Sequence, residues 1–289
     1  MIEGLGGRSD LAAADARPPA GTARRRARAR TRWLGRRTVV AVQLAILLLL
    51  LLVWQFGVSE SAVPYFSRPT LVAVRLTTLV REPTLYRDIA ITLKEIALGY
   101  GLGAVVGLVL GFALGRSAFL SATFQPYIMC FYSIPKIALA PVFVVWLGLG
   151  IASKVAVVFL SSFFLVFFNT YSGLIAVNEE LVNIARLIGA SWPQTLLRVI
   201  LPAAAAQIFI GLKTAVPYAV IGAVIGEYIG ANEGLGYFIL YASQTYDAPA
   251  LYSGIGLLVA IVYVFNLLLD RIEQRVIRWR KVGQQAVQI

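Results

Sequence analysis

The chain has 289 residues, of which 59% are hydrophobic and 14% are charged, and its mean hydropathy is +0.78. This composition is too apolar for a water-soluble domain and indicates a polytopic membrane protein. Most of the formal net charge of +12 lies in the two tails, which favours the positive-inside rule over nucleic-acid binding as its explanation. The single cysteine, Cys130, excludes a disulfide framework within the chain, and the absence of histidine excludes a histidine-ligated metal site and a Ser-His-Asp triad.

Residues 1–38 are rich in alanine, arginine, glycine and proline. We interpret them as a basic, disordered cytoplasmic tail next to anionic lipid headgroups. A cleaved signal peptide is the alternative, because Arg36 and Arg37 precede an apolar run as in twin-arginine signals. The run at residues 39–58 has about 20 residues, enough to span a bilayer of about 30 Å and more than the roughly 7 to 15 of a signal peptide. It is therefore predicted to be the first transmembrane helix, followed by an extracytoplasmic segment at residues 59–88.

The second predicted span, at about residues 89–115, contains glycines spaced four residues apart. They are Gly99, Gly103, Gly107, Gly111 and Gly115. At about 3.6 residues per turn they form one stripe without side chains, which lets another helix approach closely in lipid. A hinge or sliding face is the functional alternative, but the pattern favours tight helix packing. Lys94 and Glu95, near the outer end of this span, are interpreted as an ion pair or as snorkelling side chains.

The third predicted span, at about residues 124–147, is interrupted by Ser133, Pro135 and Lys136 and again by Pro141. Prolines weaken the helical hydrogen-bond ladder, which a membrane tolerates only where protein or a cavity supplies the lost bonds. The span is therefore predicted to lie beside a translocation path. Lys136 is a candidate contact for an anionic substrate, with ion pairing or snorkelling as the alternative.

Two further candidates for the translocation path lie in the fourth and fifth predicted spans, at about residues 155–177 and 203–229. They are Asn169, in the second half of the fourth span, and Glu227, near the outer end of the fifth. Small residues in the fifth span suit a helix that faces a path, and they suit ordinary packing equally well. A sixth span is predicted at about residues 250–269.

The polar stretch at residues 178–202 separates the fourth and fifth spans. Gly189 is predicted to end a first short helix, Ser191 to cap a second that begins at Pro193, and Pro202 to begin the fifth span. Connections between helices usually have about 2 to 8 residues, so this one is longer than a link requires. The extra length indicates a docking surface.

This stretch resembles the EAA loop of ABC importer permeases, whose pattern is Glu-Ala-Ala, three residues, Gly, nine residues and Ile-x-Leu-Pro. The matching positions are Ala185, Gly189, Val199, Leu201 and Pro202. Asn183 stands where the pattern has Glu, and Ile184 stands where it has Ala. Two further elements resemble those of the nitrate, sulfonate and taurine group of these permeases, namely Asn169-Thr170 with Gly173, and Gly234-Leu235-Gly236.

The resemblance implies an all-α polytopic membrane protein with about six transmembrane helices in a type I ABC importer permease bundle. It implies a multi-pass protein of the bacterial inner membrane with both termini in the cytoplasm. The permease core would occupy residues 89–269, with the coupling loop at residues 178–202 and a basic cytoplasmic tail at residues 270–289. The residues implied to couple the loop to an ATPase are Asn183, Ala185, Arg186, Gly189, Ala190, Ser191, Leu201 and Pro202.

By the same resemblance, the chain is expected to form the path of an ATP-driven importer together with a second copy or a paralogue. Two cytoplasmic ABC ATPase subunits would drive it, and an extracytoplasmic solute-binding protein would deliver a small anionic solute such as nitrate, an aliphatic sulfonate, taurine or bicarbonate. A permease for a thiamine or riboflavin precursor is an alternative. An ion-gradient-driven secondary carrier is a further alternative, but it should have intramembrane acidic relays or an internal repeat, and the sequence shows no clear sign of either.

The sequence contains none of the motifs that would indicate nucleotide binding, metal binding or acid–base catalysis by this chain. The chain has no G-x-x-x-x-G-K-[ST] pattern, no cluster of metal ligands and no carboxylate pair placed for acid–base catalysis. We therefore expect no enzymatic activity, no metal and no other cofactor on this chain, with ATP and magnesium bound by the partner ATPase. Membrane lipid is an expected partner, and nucleic acid is not.

Overall fold

The computed structural model describes residues 36–277. Nearly all of the predicted N-terminal tail, and the basic C-terminal tail beyond residue 277, lie outside this range. Every regular element within it is helical, in agreement with the predicted all-α class. The helices are α1 (Arg36–Gly57), α2 (Val63–Phe66), α3 (Pro69–Leu79), α4 (Pro83–Arg116), α5 (Ala118–Ser133), α6 (Ala140–Leu147), α7 (Ile151–Ile175), α8 (Glu179–Leu187), α9 (Trp192–Gly230), α10 (Leu235–Gln244) and α11 (Ala248–Val276).

Five of the described helices are long and apolar enough to cross a membrane, namely α1, α4, α7, α9 and α11. A sixth crossing is formed if α5 is counted together with the helical stretch Lys136–Leu147. The prediction of about six spans is confirmed for this part of the chain. The helix α1 belongs to a unit that ends at Gly57, and α2 to α11 form a second unit that begins at Val58.

The helix α1 is the simplest of the candidate spans. Its apolar part, Thr38–Gly57, has 20 residues and no charged side chain. At 1.5 Å per residue, a helix of this length is about 30 Å long, which is the thickness of the hydrocarbon core of a bilayer. Its length and composition therefore suit a single membrane crossing.

In the second unit, α7 packs against both α4 and α9. Its contact with α4 follows the glycine stripe: a Cβ atom at Gly103, Gly107 or Gly111 would lie 2.9 Å from a backbone carbonyl oxygen of α7. Glycine permits this approach because any side chain at these positions would push the two backbones apart. In the structure, the stripe is thus the surface on which α7 packs.

Small residues also line the contact between α7 and α9. A Cβ atom at Gly222 would lie 3.1 Å from the Cα atom of Val158. Ala219 and Ala223 are fully buried in the same contact. The three helices α4, α7 and α9 therefore form the core of the second unit.

The third predicted span consists of two helices that meet at 80°. The helix α5 ends at Ser133, Ile134 is extended, and Pro135 precedes a 3₁₀ turn at Lys136–Leu139. The residue before a proline is disfavoured in the α conformation, and proline donates no backbone hydrogen bond, so the helical ladder ends here. The predicted interruption is therefore a change of direction rather than a weakened stretch within one span.

The helix α9 differs from the prediction, because it runs without a break for 39 residues from Trp192 to Gly230. The expected second short helix and the fifth span are joined through a π-helical turn at Leu196–Ile200, just before Pro202. A π turn widens the ladder by one residue, so that the proline ring avoids the carbonyl group that it would clash with in an α turn. Pro202 is therefore in the first turn of the α-helical part, Leu201–Gly230, as predicted, but that part continues directly from the π turn.

Candidate functional site

The helix α8 and the turn after it form a bent segment between α7 and α9. The side chain of Asn178 caps α8 by accepting a hydrogen bond of 2.8 Å from the backbone N–H of Glu180. Glu180 in the first turn and Arg186 in the last carry the charges that suit the helix dipole. Val182 is buried against side chains of α7 and α9, which holds the segment on the ends of those helices. We call residues 178–202 the α8 segment.

The turn after α8 requires glycine at position 189. The φ angle of Gly189 is +84°, a conformation that glycine adopts without strain. The backbone N–H groups of Gly189 and Ala190 donate to the carbonyl oxygens of Arg186 and Ala185, each at 3.0 Å. These two bonds form the Schellman arrangement that ends a helix. The structure therefore places a sharp, well-defined turn where the sequence predicts a break.

The tip of the α8 segment is apolar and exposed. Leu187 is 85% exposed and Ile188 is 80% exposed. Beyond the turn, the backbone N–H of Ser191 donates to Oε1 of Gln194 at 2.9 Å and so stabilises the start of α9. Two large apolar side chains are thus presented side by side on a turn that is fixed at both ends.

The residues predicted to couple to an ATPase fall into two groups. Those exposed on the α8 segment are Asn183, Arg186, Gly189 and Ser191. Those with less exposure are Ala185, which is buried, and Ala190, Leu201 and Pro202, which are partly buried. The exposed group can meet another protein, whereas Leu201 and Pro202 belong to α9 and position the segment.

A polar cavity of about 360 Å³ lies where α8 meets the ends of α4 and α7. It is lined by Arg116, the last residue of α4, and by Arg186, Asn183 and Glu179 of α8. The guanidinium group of Arg116 lies over the ring of Trp192, 4.4 Å from its centre. We call this cavity the arginine pocket. The sequence did not indicate it, because Arg116 and Arg186 are far apart in the chain and only folding brings them together.

Lys136, the candidate contact for an anion, lies at the break after α5. Its Nζ atom donates to the carbonyl oxygen of Tyr132 at 3.1 Å and lies 4.4 Å from the ring centre of Tyr132 and 5.1 Å from that of Phe164. No carboxylate among the described residues forms a salt bridge with it. Ser133 and Pro135 flank the break, and Ser133 donates to a backbone carbonyl of its own helix. Aromatic contacts stabilise the lysine without neutralising its charge.

An apolar cavity of about 500 Å³ lies beside Lys136, between α5, α6 and α7. Six aromatic side chains contribute to its walls, namely Phe131, Phe143, Trp146, Phe159, Phe163 and Phe164. Phe164 belongs both to the wall and to the aromatic contacts of Lys136. Lys136 itself does not line the cavity. A cavity of this size with apolar walls can hold a small organic solute.

The remaining path candidates lie elsewhere along α7. Asn169 joins α7 to α9, because its Oδ1 atom accepts a hydrogen bond of 3.0 Å from Gln207 Nε2. Lys136 meets the middle of α7, and Glu227 lies near Lys154 at its start. The structure therefore does not gather the path candidates at one site, and their role in transport stays a prediction.

Glu227 lies fully buried between α4 and the start of α10. Its Oε1 atom accepts a hydrogen bond of 2.6 Å from Thr92 Oγ1, and its Oε2 atom accepts one from the backbone N–H of Gly236. Thr92 Oγ1 in turn accepts a bond of 2.9 Å from the N–H of Leu235. A Cβ atom at Gly236 would lie 2.6 Å from Oε2 of Glu227, so this turn needs glycine to close on the carboxylate.

A second buried acid lies beside Glu227. Oε1 of Glu95 is 3.5 Å from Nζ of Lys154, and both side chains are buried. Lys94, the neighbour that the sequence suggested as a possible partner for Glu95, is exposed. We call Thr92, Glu95, Lys154 and Glu227 the carboxylate cluster. Its members come from α4, α7 and α9, so it ties together the three core helices.

Comparison with known proteins identifies this architecture. Residues 103–281 match the family model described as the binding-protein-dependent transport system inner membrane component. The chain belongs to this family. It is therefore a multi-pass permease subunit of the inner membrane, of the ABC importer class, which has no ATPase site of its own.

The permease is similar to named relatives over most of its length. It is 33% identical over 234 residues to the formylaminopyrimidine transport permease protein ThiX of Halalkalibacterium halodurans, with 81% of this chain and 94% of that one covered. It is 28% identical over 230 residues to the putative aliphatic sulfonates transport permease protein SsuC of Bacillus subtilis, with 79% and 83% covered. The inward-facing MetNI methionine ABC transporter matches with a TM-score of 0.59 and 24% identity, over 67% of the permease and 96% of that chain, which shows a shared fold.

Proposed function

We propose that the permease forms the translocation path of an ATP-driven importer and receives its driving force through the α8 segment. Two copies, or one copy and a paralogue, enclose the path, and separate ATPase subunits bind the tip. The observation that carries this proposal is the pair of exposed apolar side chains, Leu187 and Ile188, on the turn fixed by Gly189. Adjacent exposed apolar side chains at a polar surface favour contact with a partner protein.

The attachment of the α8 segment to the core supports the same proposal. Val182 of α8 packs in one cluster with Leu174 of α7 and Ile200 of α9. A displacement of α8 is therefore transmitted to two of the three core helices. Rocking of whole helices about a fixed site is a general mode of alternating access in transporters.

The positive-inside rule supports a cytoplasmic position for the α8 segment. Residues 1–38 contain ten arginines, which favours the cytoplasm for the start of α1. Four crossings lead from there to α8, namely α1, α4, the bent pair of α5 and α6, and α7. An even number of crossings returns the chain to the side on which it began, where ATP is available.

For the solute, we infer a small organic anion, with aliphatic sulfonates as the first candidate. The apolar cavity suits an alkyl chain, and the ammonium group of Lys136, 5.1 Å from the ring centre of the wall residue Phe164, suits a sulfonate group. Nitrate and bicarbonate have no apolar part that would use these walls. The relative SsuC is named for aliphatic sulfonates, which supports this candidate.

A nitrogen heterocycle is the second candidate. The aromatic walls of the same cavity suit a flat ring, which stacks on aromatic side chains. The relative ThiX is named for formylaminopyrimidine. The two candidates differ in their use of Lys136, because an anion is attracted by its charge and a neutral ring needs the walls alone.

Reconstitution in proteoliposomes tests the proposed function. The permease with ATPase subunits and a binding protein should accumulate an alkyl sulfonate only when ATP is supplied on the ATPase side. The permease alone should accumulate nothing under a proton or sodium gradient. Gradient-driven accumulation by the permease alone would contradict the proposal and identify a secondary carrier.

A further inference from the structure

The arginine pocket holds two positive charges that the described part of the chain does not pair. Arg116 and Arg186 are close enough to repel each other electrostatically. None of the salt bridges within the described residues involves either arginine. The Nε atom of Arg116 is buried and has no hydrogen-bond partner in this part of the chain. The pocket therefore combines unused donors with an excess of positive charge.

The acidic side chain at the pocket does not restore the balance. Glu179 is the one carboxylate among the lining residues of the pocket, and it is exposed to solvent. Arginine stays protonated in proteins, so two arginines and one carboxylate leave the pocket with a net positive charge. Like charges in a partly buried site raise the free energy unless a counter-ion is present.

Asn183 adds to this imbalance. It lines the same pocket, at the position where the EAA pattern has a glutamate. A glutamate there would bring a carboxylate to the two arginines, whereas the asparagine brings an amide group that can donate a hydrogen bond. The described chain thus offers donors where an internal counter-ion would fit, and the anion has to come from another molecule.

The position of the pocket indicates where that anion is found. The membrane-spanning helices α4 and α7 end beside it, at Arg116 and Ile175. Ile175 lines the pocket and is exposed, so an apolar chain can lie next to the arginines. Trp192, which lies under the guanidinium group of Arg116, is a residue type enriched at membrane interfaces. Basic pockets at this depth suit the phosphate groups of lipids.

We propose that the arginine pocket binds a phosphate group, with Arg116, Arg186 and Asn183 as its donors. Guanidinium groups form paired hydrogen bonds with phosphate oxygens, which a single ammonium group does not. An anionic phospholipid brings this group from the bilayer, and inorganic phosphate brings it from water. A bound phosphate joins the end of α4 to α8 and so holds the α8 segment on the core. The site does not depend on the proposed transport function.

The proposal is tested by measuring how tightly phosphate-containing ligands bind to the full-length permease in a neutral detergent. The ligands are a short-chain phosphatidylglycerol, inorganic phosphate, and a diacylglycerol of the same chain length that lacks the phosphate. The binding of each ligand is measured by native mass spectrometry and by the change in Tm. Arg116→Gln removes a charged donor, and Asn183→Glu supplies an internal carboxylate. Arg198→Gln is the matched control, because Arg198 is exposed in the same segment and does not line the pocket.

Phosphatidylglycerol should bind the wild-type and Arg198→Gln permeases equally and should bind the two pocket variants at least about tenfold more weakly, as expected for loss of a charged hydrogen bond. Asn183→Glu should also raise the Tm of the lipid-free permease, because its carboxylate neutralises the arginines. A response to phosphatidylglycerol alone assigns the phosphate to a lipid, and an equal response to inorganic phosphate assigns it to the free anion.

Two outcomes would overturn the proposal. The first is equal binding of phosphatidylglycerol by all four proteins, or an equal response to diacylglycerol, since neither depends on the phosphate at this pocket. The second is a wild-type permease that binds neither phosphatidylglycerol nor inorganic phosphate, together with pocket variants that bind a purified ATPase subunit more weakly than the wild type does. That result would assign the arginines to an acidic side chain of the ATPase.

Discussion

The permease has two polar regions at opposite ends of the same helices, and they are built differently. The carboxylate cluster and the arginine pocket both include α4, in which Glu95 and Arg116 are separated by about 30 Å of helix. In the cluster, both oxygens of Glu227 accept hydrogen bonds, and Glu95 forms a salt bridge with Lys154, although its buried Oε2 atom has no hydrogen-bond partner among the described residues. In the pocket, neither arginine has a salt-bridge partner within the described residues.

This difference indicates which end of the permease is completed by other molecules. The cluster is buried, and the turn at Gly236 closes over it, so its interactions hold the core helices together. The α8 segment exposes Leu187, Ile188 and a charged pocket, so its interactions are available to partners. Such an arrangement suits a subunit that is driven from one side.

Among the four predictions below, we expect the largest change in free energy from Glu227→Gln in the carboxylate cluster. The new amide nitrogen would face either the N–H of Gly236 or the hydroxyl group of Thr92, which leaves a buried donor without an acceptor. The free energy of unfolding should fall by about 3 kcal/mol, as measured by thermal unfolding in detergent. Glu233→Gln is the control, because Glu233 is partly exposed in its pair with Arg87 and should cost less than about 1 kcal/mol. Equal Tm values for the two variants would contradict a structural role for the cluster.

The next largest loss of stability is expected from a substitution in the glycine stripe of α4, which lies in the core between the two polar regions. Gly107→Ala places a Cβ atom 2.9 Å from the carbonyl oxygen of Phe163, so the free energy of unfolding should fall by about 2 kcal/mol. Gly101→Ala is the matched control on the same helix, because a Cβ atom there has no neighbour within 4 Å. Its Tm should stay the same or rise slightly, since alanine favours helix. Similar losses of Tm in both variants would show that the stripe is not a packing surface.

At the other end of the molecule, Leu187→Ser should change coupling without changing folding. The side chain is exposed, so its loss leaves Tm unaltered, but it removes the apolar contact that we propose with the ATPase. ATP-dependent uptake in proteoliposomes should therefore fall at least about tenfold. Leu181→Ser is the control, because Leu181 is 51% exposed at the start of the same helix, away from the tip. Full uptake by the Leu187→Ser permease would place the docking surface elsewhere.

The smallest effect is expected from Lys136→Gln, because the apolar walls also hold the solute. Uptake of an alkyl sulfonate should fall about fivefold, which corresponds to roughly 1 kcal/mol for one hydrogen bond, and uptake of a neutral heterocycle should not change. Lys94→Gln, a change at an exposed lysine of α4, should leave both rates as in the wild type. If sulfonate uptake is unaltered in the Lys136→Gln permease, the lysine serves only to stabilise the break after α5.

Features that depend on neighbours in the chain could be predicted from the sequence. Hydropathy indicates the number of spans, a four-residue period indicates the stripe that begins at Gly99, and a glycine between two polar helical patterns indicates the turn at Gly189. The resemblance to the EAA loop supplied the docking role proposed for the α8 segment. Each of these signals lies within about one or two helix lengths of sequence.

Features that depend on distant residues could not be predicted. Nothing near Glu227 indicates Thr92 as its partner, and nothing near Arg116 indicates Arg186, because these residues meet only after the core has formed. The sequence around Pro135 predicts a break but not the angle of 80° at which the two helices meet. The continuity of α9 across Pro202 depends on a π turn, for which local pattern gives no signal.

The unbroken course of α9 has a mechanical consequence. As one helix of 39 residues, about 58 Å long and with Pro217 inside it, α9 joins Trp192, close to the tip, to Glu227 near the opposite end. The π turn at Leu196–Ile200 contains one residue more than an α turn. If this extra residue moved along the helix, each side chain between its old and new positions would rotate by about 100° around the helix axis, which is the rotation per residue in an α-helix. A turning force on α9 near Trp192 can therefore have two results. It can move the π turn and rotate only the side chains close to it, or it can rotate the helix as far as its other end.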